Sequence, residues 1–265
     1  MTQPRVLLSG LAFPESPRWH DGRIHVSDWG TGEVHAVAPD GSDEIVANGS
    51  AFPMCIDFLP DGRMLVVHGP DLLVREHDGT LAPYADLAPL SEHPYNDVTV
   101  DPRGNVFVNN IGFDFPGGEP RPGNVVVVTQ DGRAREASGD LLFPNGMAVR
   151  DGVLVVAESY RQRLTAFDIA ADGSLSGRRV WADLEGDHPD GITFDPAGRI
   201  WYADVANQAC RLVEEGGAVV RTVDLDRGAF SCALADGVLY VATNQWTGAP
   251  SAGRNGQLVV VDLSA

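Results

Sequence analysis

The chain of 265 residues carries 19 basic and 37 acidic side chains, which gives a formal net charge of −18 at pH 7. Such a charge disfavours nucleic acid and anionic membranes as partners, because both would be repelled. All of the basic residues are Arg, and a chain without Lys cannot form a lysine Schiff base, anchor pyridoxal phosphate or build a P-loop. The three cysteines are widely separated, which argues against a disulfide framework and a thiolate zinc site.

The N-terminal segment and the hydrophobic pattern of the chain suggest a location. The segment MTQPRVLLSG contains one Arg and a short apolar run, too short for the core of a signal peptide. No stretch elsewhere approaches the ~20 apolar residues of a membrane span. We therefore expect a cytoplasmic protein, a monomer or a small homo-oligomer, with no nucleic-acid or membrane partner.

A segment of alternating hydrophobicity recurs six times along the chain. The copies begin with ESPRWHDGRIHVSDW at Glu15, MCIDFLPDGRMLVVHG at Met54, NDVTVDPRGNVFVNN at Asn96, NGMAVRDGVLVVAES at Asn145, DGITFDPAGRIWYAD at Asp190 and SCALADGVLYVATN at Ser231. Each copy contains two predicted strands joined by a turn with a Gly, and a third and a fourth strand follow. A period of about 40 to 45 residues with four strands per copy is typical of a propeller blade.

The repeats predict an all-β fold, a six-bladed β-propeller formed by a single domain of residues 1–265. The opening segment RVLLSGLAFPESP resembles a fourth strand without a blade, whereas the sixth copy ends after its third strand, QLVVVDL. We therefore expect the N- and C-terminal segments to pair and to close the ring, because this pairing removes an open sheet edge.

The first residue of each copy is expected at one mouth of the central channel, since the inner strands of all blades start there. We call these six first residues the ring residues. Four of them carry a carboxylate or an amide: Glu15, Asn96, Asn145 and Asp190. Calcium, magnesium and manganese prefer such ligands, whereas the lack of thiolate and imidazole groups disfavours a zinc-specific site. Asn145 and Asp190 each precede a Gly, so a turn is the alternative for both, but the shared phase of all four favours a metal site.

Four segments together resemble a known family: FPESPRW around Glu15, YNDVTVDPRG around Asn96, FPNGMAV around Asn145 and HPDGITFDPAGRIWYAD around Asp190. They are similar to the gluconolactonase, senescence marker protein (regucalcin) and diisopropylfluorophosphatase-like family of six-bladed propellers. The resemblance implies one divalent cation ligated by residues Glu15, Asn145 and Asp190, with Asn96 near the metal or its substrate. It also implies that Asp190 is the catalytic carboxylate.

The activity that this resemblance implies is metal-dependent hydrolysis, and we expect a lactonase that opens a small lactone ring. Calcium is the expected cation, with zinc, manganese and magnesium as alternatives. In this interpretation Asp190 acts as the base for a metal-activated water. Two other functions stay open: hydrolysis of an organophosphate-type ester, and binding of calcium or a small molecule without catalysis.

One position departs from the pattern of the sugar lactonases in this family. Those enzymes carry an Arg two residues before the Asn of the third blade, and this chain has Pro94 there. The loops after the second strands are expected to face the same mouth and to make the pocket more aromatic than a sugar site. The predicted substrate contacts are Asn96, His68, Asn110, Tyr160 and Trp246, although a structural role is the alternative for His68. Loops 109–124 and 244–256 are the longest and are candidate lids.

Overall fold

The computed structural model describes residues 3–49, 52–245 and 253–264. Within these ranges the chain forms strands and two one-turn 3₁₀ segments, Ala88–Leu90 and Ser159–Arg161, but no α-helix. No helical segment in these ranges has the length and apolar character needed to cross a membrane.

The strands form six antiparallel sheets of four strands each, which are the blades of a β-propeller. Blade 1 contains β2 (Pro14–His20), β3 (Arg23–Asp28), β4 (Glu33–Val37) and β5 (Asp43–Asn48). Blade 2 contains β6 (Met54–Phe58), β7 (Met64–His68), β8 (Asp71–Arg75) and β9 (Leu81–Ala85). Blade 3 contains β10 (Tyr95–Val100), β11 (Val106–Asn110), β12 (Gly123–Val128) and β13 (Ala134–Leu141).

The remaining three blades follow in chain order, and the last one also recruits the first strand. Blade 4 contains β14 (Pro144–Arg150), β15 (Val153–Glu158), β16 (Arg163–Ile169) and β17 (Leu175–Asp183). Blade 5 contains β18 (Pro189–Phe194), β19 (Ile200–Asp204), β20 (Ala209–Val213) and β21 (Val219–Asp224). Blade 6 contains β22 (Gly228–Ala235), β23 (Val238–Asn244), β24 (Gly256–Asp262) and β1 (Arg5–Leu11).

The two ends of the chain close the ring. Strand β1 pairs antiparallel with β24, from Arg5 opposite Val260 to Leu11 opposite Gly256. The N-terminal strand is therefore the outer strand of blade 6, and the prediction of six blades closed by the terminal segments is confirmed.

The repeated Gly of each copy lies in the hairpin between the first two strands of its blade. In blade 1, Asp21 and Gly22 have φ values of 48° and 74°. A two-residue hairpin of type I′ requires positive φ at both positions, and Gly adopts it easily because it has no Cβ. The repeat of this Gly therefore marks the start of every blade in the sequence.

The hydrophobic core lies between adjacent blades, as the continuous valine run of β12 shows. Val125 to Val128 are all fully buried. Val126 and Val128 pack in a cluster that includes Leu72 of blade 2, whereas Val125 and Val127 pack in a cluster that includes Leu154 of blade 4. Successive side chains point to opposite faces of a strand, so a strand buried on both faces is apolar throughout.

The inner strands are irregular where they carry the ring residues. Register shifts fall between Glu15 and Arg18, Tyr95 and Asp97, Pro144 and Met147, Pro189 and Ile192, and Ala229 and Ser231. In blade 2 the ring residue is the apolar Met54, and β6 pairs with β7 without a shift. Because a bulge changes the direction of a side chain, these irregularities can direct the polar ring residues toward the axis.

Gly146 and Gly191 follow two ring residues and lie inside β14 and β18. A Cβ at Gly146 would lie 2.6 Å from the backbone oxygen of Asp190, and a Cβ at Gly191 would clash with Ser231. Neighbouring inner strands approach so closely here that only Gly fits. The alternative interpretation of Asn-Gly and Asp-Gly as turns is therefore wrong.

Candidate functional site

A cavity of about 420 Å³ opens at one mouth of the central channel. Four predicted ring residues line it: Glu15, Asn96, Asn145 and Asp190. They come from blades 1, 3, 4 and 5, so residues up to 175 positions apart in the sequence meet because the propeller is circular. The structure therefore brings together all four residues that the repeat phase singled out.

Hydrogen bonds connect the two amide side chains of the ring to the next blade. Asn96 Nδ2 donates to Asn145 Oδ1 over 3.2 Å, and Asn145 Nδ2 donates to Ser159 Oγ over 3.3 Å. The Ser159 hydroxyl in turn donates to the backbone oxygen of Pro189 over 2.7 Å, one residue before Asp190. This series fixes the relative positions of three ring residues. Ser159 follows the end of β15, and the sequence analysis did not identify it.

Of the two ring carboxylates, Glu15 is buried and Asp190 is half-buried, and they are close enough to interact electrostatically. Glu15 is 8% exposed, and its Oε2 accepts a hydrogen bond from the backbone N–H of Ser16 over 3.1 Å. Burial raises the pKa of Glu15 to about 8. Burial and the charge of Glu15 also raise the pKa of Asp190 well above its ordinary value. Without a counter-charge, ionising both carboxyls is therefore costly.

A buried guanidinium lies deeper in the channel, below the ring. Arg18 Nη2 donates to Asp97 Oδ1 over 3.2 Å and to the backbone oxygen of Val98 over 3.0 Å. Asp97 Oδ2 accepts a hydrogen bond from the backbone N–H of Met147 over 2.8 Å, which ties blade 3 to blade 4. Burial raises the pKa of Asp97 to about 6, although Arg18 opposes this shift. Arg18 and Asp97 were not among the predicted site residues, although each is a charged residue within an inner strand.

The ring fits a hard divalent cation by its chemistry. It offers two carboxylates and two amide oxygens, the donors that calcium and magnesium prefer. Within the described ranges, no group of three His, Cys, Asp or Glu side chains is arranged to hold a metal ion. A cation site at the ring therefore depends on its amide oxygens as well as its carboxylates. A cation would also neutralise the buried pair Glu15 and Asp190, whose raised pKa values show that their charges are poorly compensated.

A second repeated polar position lies at the end of the second strand of each blade. We call its members the strand-end residues: Asp28, His68, Asn110, Glu158, Asp204 and Asn244. Asp28 accepts hydrogen bonds from the backbone N–H groups of Ala12 and Phe13, over 2.8 and 2.7 Å. Because these bonds hold the segment that leads into the inner strand of blade 1, Asp28 supports the site from outside the cavity lining.

Two predicted substrate contacts, His68 and Asn110, are strand-end residues, and the structure does not bring them to the cavity. Asn110 is 3% exposed, and its Nδ2 donates to Asn124 Oδ1. His68 is half-buried and lies beside Gly49. Of the residues that the structure describes, the cavity lining includes neither of them, whereas it does include Tyr160. Trp246 lies outside the described residues.

Residues 13–245 match the family described as the SMP-30/Gluconolactonase/LRE-like region. The chain belongs to this family. The match covers all six ring residues, so it agrees with the resemblance inferred from the sequence segments around four of them.

Individual relatives show how far this similarity extends. Diisopropyl-fluorophosphatase from Loligo vulgaris is 30% identical over 155 residues, which are 50% of this chain and 48% of that protein, so the match spans about half of the relative. Pentonolactonase XacC from Haloferax volcanii is 27% identical over 211 residues, 77% of this chain and 70% of the relative. The solved structure of regucalcin, a calcium-binding protein from Agrobacterium tumefaciens, has a TM-score of 0.81 at 19% identity and covers 99% of this chain and 94% of that one. This last likeness concerns the fold.

Proposed function

We propose that the protein is a divalent-metal-dependent lactonase in which Glu15, Asn145 and Asp190 hold the cation and Asn96 lies beside it. One observation carries the proposal: a buried and a half-buried carboxylate, both with raised pKa values, line an open cavity together with two amides. Family membership and the related pentonolactonase support the choice of reaction. Calcium is the first choice of cation, because it tolerates mixed carboxylate and amide ligation with irregular geometry.

A divalent cation bound at the ring would polarise the ester carbonyl and keep the neighbouring carboxyls ionised. The protein's own chemistry centres on Asp190, which lines the cavity and is only half-buried. Its carboxylate removes a proton from water as the water oxygen adds to the lactone carbonyl. When the ring C–O bond breaks, the protonated Asp190 returns this proton to the departing alkoxide. The product is the open hydroxy acid.

The other ring residues cannot replace Asp190 in this role. Asn96 and Asn145 carry amides, which do not accept a proton at neutral pH. Glu15 is more deeply buried than Asp190 and already accepts the Ser16 N–H, so it serves as a ligand. Asp190 therefore combines a ligand position with access to the substrate.

Hydrolysis of a neutral organophosphate-type ester is the second candidate, and one observation favours it. Among the cavity-lining residues in the described ranges there is no Arg, so the lining suits an uncharged ester of a carboxylic or a phosphoric acid. The relationship to diisopropyl-fluorophosphatase points the same way. Metal binding without turnover is the non-catalytic alternative.

A chelation experiment tests the proposal. The purified protein is dialysed against a chelator, and hydrolysis of δ-valerolactone and fluoride release from diisopropyl fluorophosphate are measured before and after adding calcium, magnesium, manganese or zinc. We expect lactone hydrolysis to disappear on chelation and to return with at least one cation. Hydrolysis that chelation leaves unchanged would contradict metal dependence, and turnover of the phosphofluoridate alone would establish the second candidate. Binding of a cation without turnover of either ester would establish the non-catalytic one.

A further inference from the structure

The walls of the cavity above the ring are built from two groups of aromatic side chains. The first group comes from blades 6, 1 and 2 and contains Phe13, Trp29, Phe52 and Phe230. Its rings contact one another, with centroids 4.9 Å apart for Phe13 and Phe230 and 5.0 Å apart for Trp29 and Phe52. Mutual packing of this kind holds the rings in fixed positions.

The second group comes from blades 3 and 4 and contains Phe113, Phe115, Phe143 and Tyr160. Phe143 is at its centre, with ring centroids 4.6 Å from Tyr160, 5.1 Å from Phe115 and 5.7 Å from Phe113. Blades 1 and 4 are three places apart in a ring of six. The members of the two groups on blades 1 and 4 therefore lie on opposite sides of the channel axis, whereas the members on blades 2 and 3 come from adjacent blades.

A repeated position supplies two rings to the first group and one ring to the second. We call the residues two places before the ring residues the rim residues: Phe13, Phe52, Pro94, Phe143, His188 and Ala229. All of them except Ala229 line the cavity. Five of the six rim residues lie one or two positions before the first residue of an inner strand, so an aromatic rim residue adds apolar surface to the cavity where the chain enters the ring.

The charges of the cavity oppose anionic and hydroxyl-rich substrates. The described part of its lining contains no Arg, while Asp114 adds a carboxylate to those of Glu15 and Asp190. Even with a cation neutralising Glu15 and Asp190, the carboxylate of Asp114 and the net charge of −18 would repel an anion. Several hydroxyl groups would lie against aromatic faces, and Pro94 offers no donor of its own to meet them. Polar groups buried without partners reduce binding.

We propose that this cavity selects uncharged esters with a flat apolar substituent, which lies between the two aromatic groups while the ester carbonyl meets the ring. This substrate class rests on the proposed lactonase function. It makes Phe52 and Tyr160 specificity-determining residues, since each belongs to a different group and each is 42% exposed.

Three lactones with the same six-membered ring test the preference. They are δ-valerolactone, its derivative with a 2-phenylethyl group on the carbon that bears the ring oxygen, and D-glucono-δ-lactone. Each kcat/KM is measured with saturating calcium and divided by the hydroxide-catalysed rate of the same lactone, which removes differences in intrinsic reactivity. We expect the phenylethyl lactone to exceed δ-valerolactone by about tenfold or more and gluconolactone to be the poorest. Gluconolactone as the best substrate would overturn the inference.

A double variant tests whether the aromatic groups cause the preference. Phe52→Leu combined with Tyr160→Leu removes one ring from each group, and Tyr84→Leu on β9, which is outside the cavity lining, is the matched control. We expect the double variant to lose about tenfold in kcat/KM for the phenylethyl lactone and less than about twofold for δ-valerolactone. Equal losses for both lactones would contradict a specificity role for the two rings.

Binding of lactams separates this inference from the proposed reaction, because lactams resist hydrolysis. The lactams that correspond to δ-valerolactone and to its phenylethyl derivative are titrated into the wild-type protein by calorimetry, with and without calcium. About tenfold tighter binding of the phenylethyl lactam supports the aromatic cavity even when no lactone is hydrolysed, an outcome that refutes only the lactonase. Equal affinity of the two lactams, or binding of neither, would overturn the inference.

Discussion

Two pairs of carboxylates on the inner strands, each pair with one buried and one half-buried member, differ in their counter-charges. In the lower pair, Asp97 accepts a hydrogen bond from Arg18 over 3.2 Å, and Asp57 lies 3.8 Å from the same guanidinium. In the upper pair, Glu15 accepts one backbone N–H, and its charge raises the pKa of Asp190. The lower pair thus has an internal counter-ion. Arg18 also lowers the pKa of Glu15, but burial raises it more, so in the proposed function a bound cation supplies the missing counter-charge of the upper pair.

The largest expected effect concerns Asp190 in the upper pair. Asp190→Asn keeps the shape and one oxygen ligand but removes the base, so turnover should fall by about 10² to 10⁴ at saturating calcium. Steady-state hydrolysis of δ-valerolactone over a calcium titration measures this loss. Glu15→Gln should instead raise the calcium concentration required and leave much of the maximal rate.

Asp224→Asn on the exposed part of β21 is the matched control and should retain wild-type kinetics. Recovery of near wild-type turnover by Asp190→Asn at high calcium would show that Asp190 is a ligand only. The base would then have to be another group at the mouth of the channel.

The lower pair should respond to loss of its counter-ion through stability. Arg18→Met leaves Asp97 and Asp57 buried without a positive partner, and breaking a buried ion pair in this way costs about 3–5 kcal/mol. Urea denaturation measures the free energy of unfolding. Adding Asp97→Asn to Arg18→Met should restore part of the loss, because it removes one of the uncompensated charges.

Arg133→Met, at a side chain that is 86% exposed, is the control and should leave the unfolding free energy nearly unchanged. If Arg18→Met destabilised the protein no more than this surface variant, the lower pair would not depend on its guanidinium, and the contrast between the two pairs would lose its basis.

The smallest expected effect concerns the alignment of the amide ligands. Ser159 accepts from Asn145 and donates to the Pro189 backbone, so Ser159→Ala removes two hydrogen bonds without touching a carboxylate. We expect calcium affinity to fall several-fold, in line with the ~1 kcal/mol of a typical hydrogen bond, while turnover at saturating calcium is kept. Ser159→Thr retains the hydroxyl and should behave more like the wild type. An unchanged calcium affinity in Ser159→Ala would show that Asn145 is held in other ways.

Much of the fold could be predicted because the physical requirements of a blade repeat with the sequence. Each blade needs a tight hairpin and therefore a Gly such as Gly22, and apolar runs such as that of β12 mark strands covered on both faces. The ring residues could be found for the same reason. The ring residues have different side chains in different blades, but each one is the first residue of its copy of the repeat.

The residues that support the ring from outside, such as Arg18, could not be predicted from their position in the repeat. Arg18 resembles the polar half of an ordinary alternating strand until the bulge after Glu15 and the partner in blade 3 are known. Loops that follow second strands do reach the cavity, as Phe113 does, but His68 and Asn110 at the ends of those strands are not part of its lining. The strand-end residues precede those loops, and in blade 1 the strand-end residue Asp28 accepts hydrogen bonds from the backbone before the inner strand. Comparison of all six copies at that position would have indicated its structural role.

The most direct test of the central claim is the melting temperature of the wild type and of Glu15→Gln, each with and without calcium, at pH 8.5. Folding raises the pKa of Glu15, so its charge costs stability as the pH rises through about 8. Without calcium the variant should therefore melt a few degrees above the wild type, because one of two like charges is gone. With calcium the order should reverse, because only the wild type offers both carboxylates to the cation. A variant that melts below the wild type in both conditions, or a wild type that calcium does not stabilise, would contradict the claim that the upper pair is built for a cation.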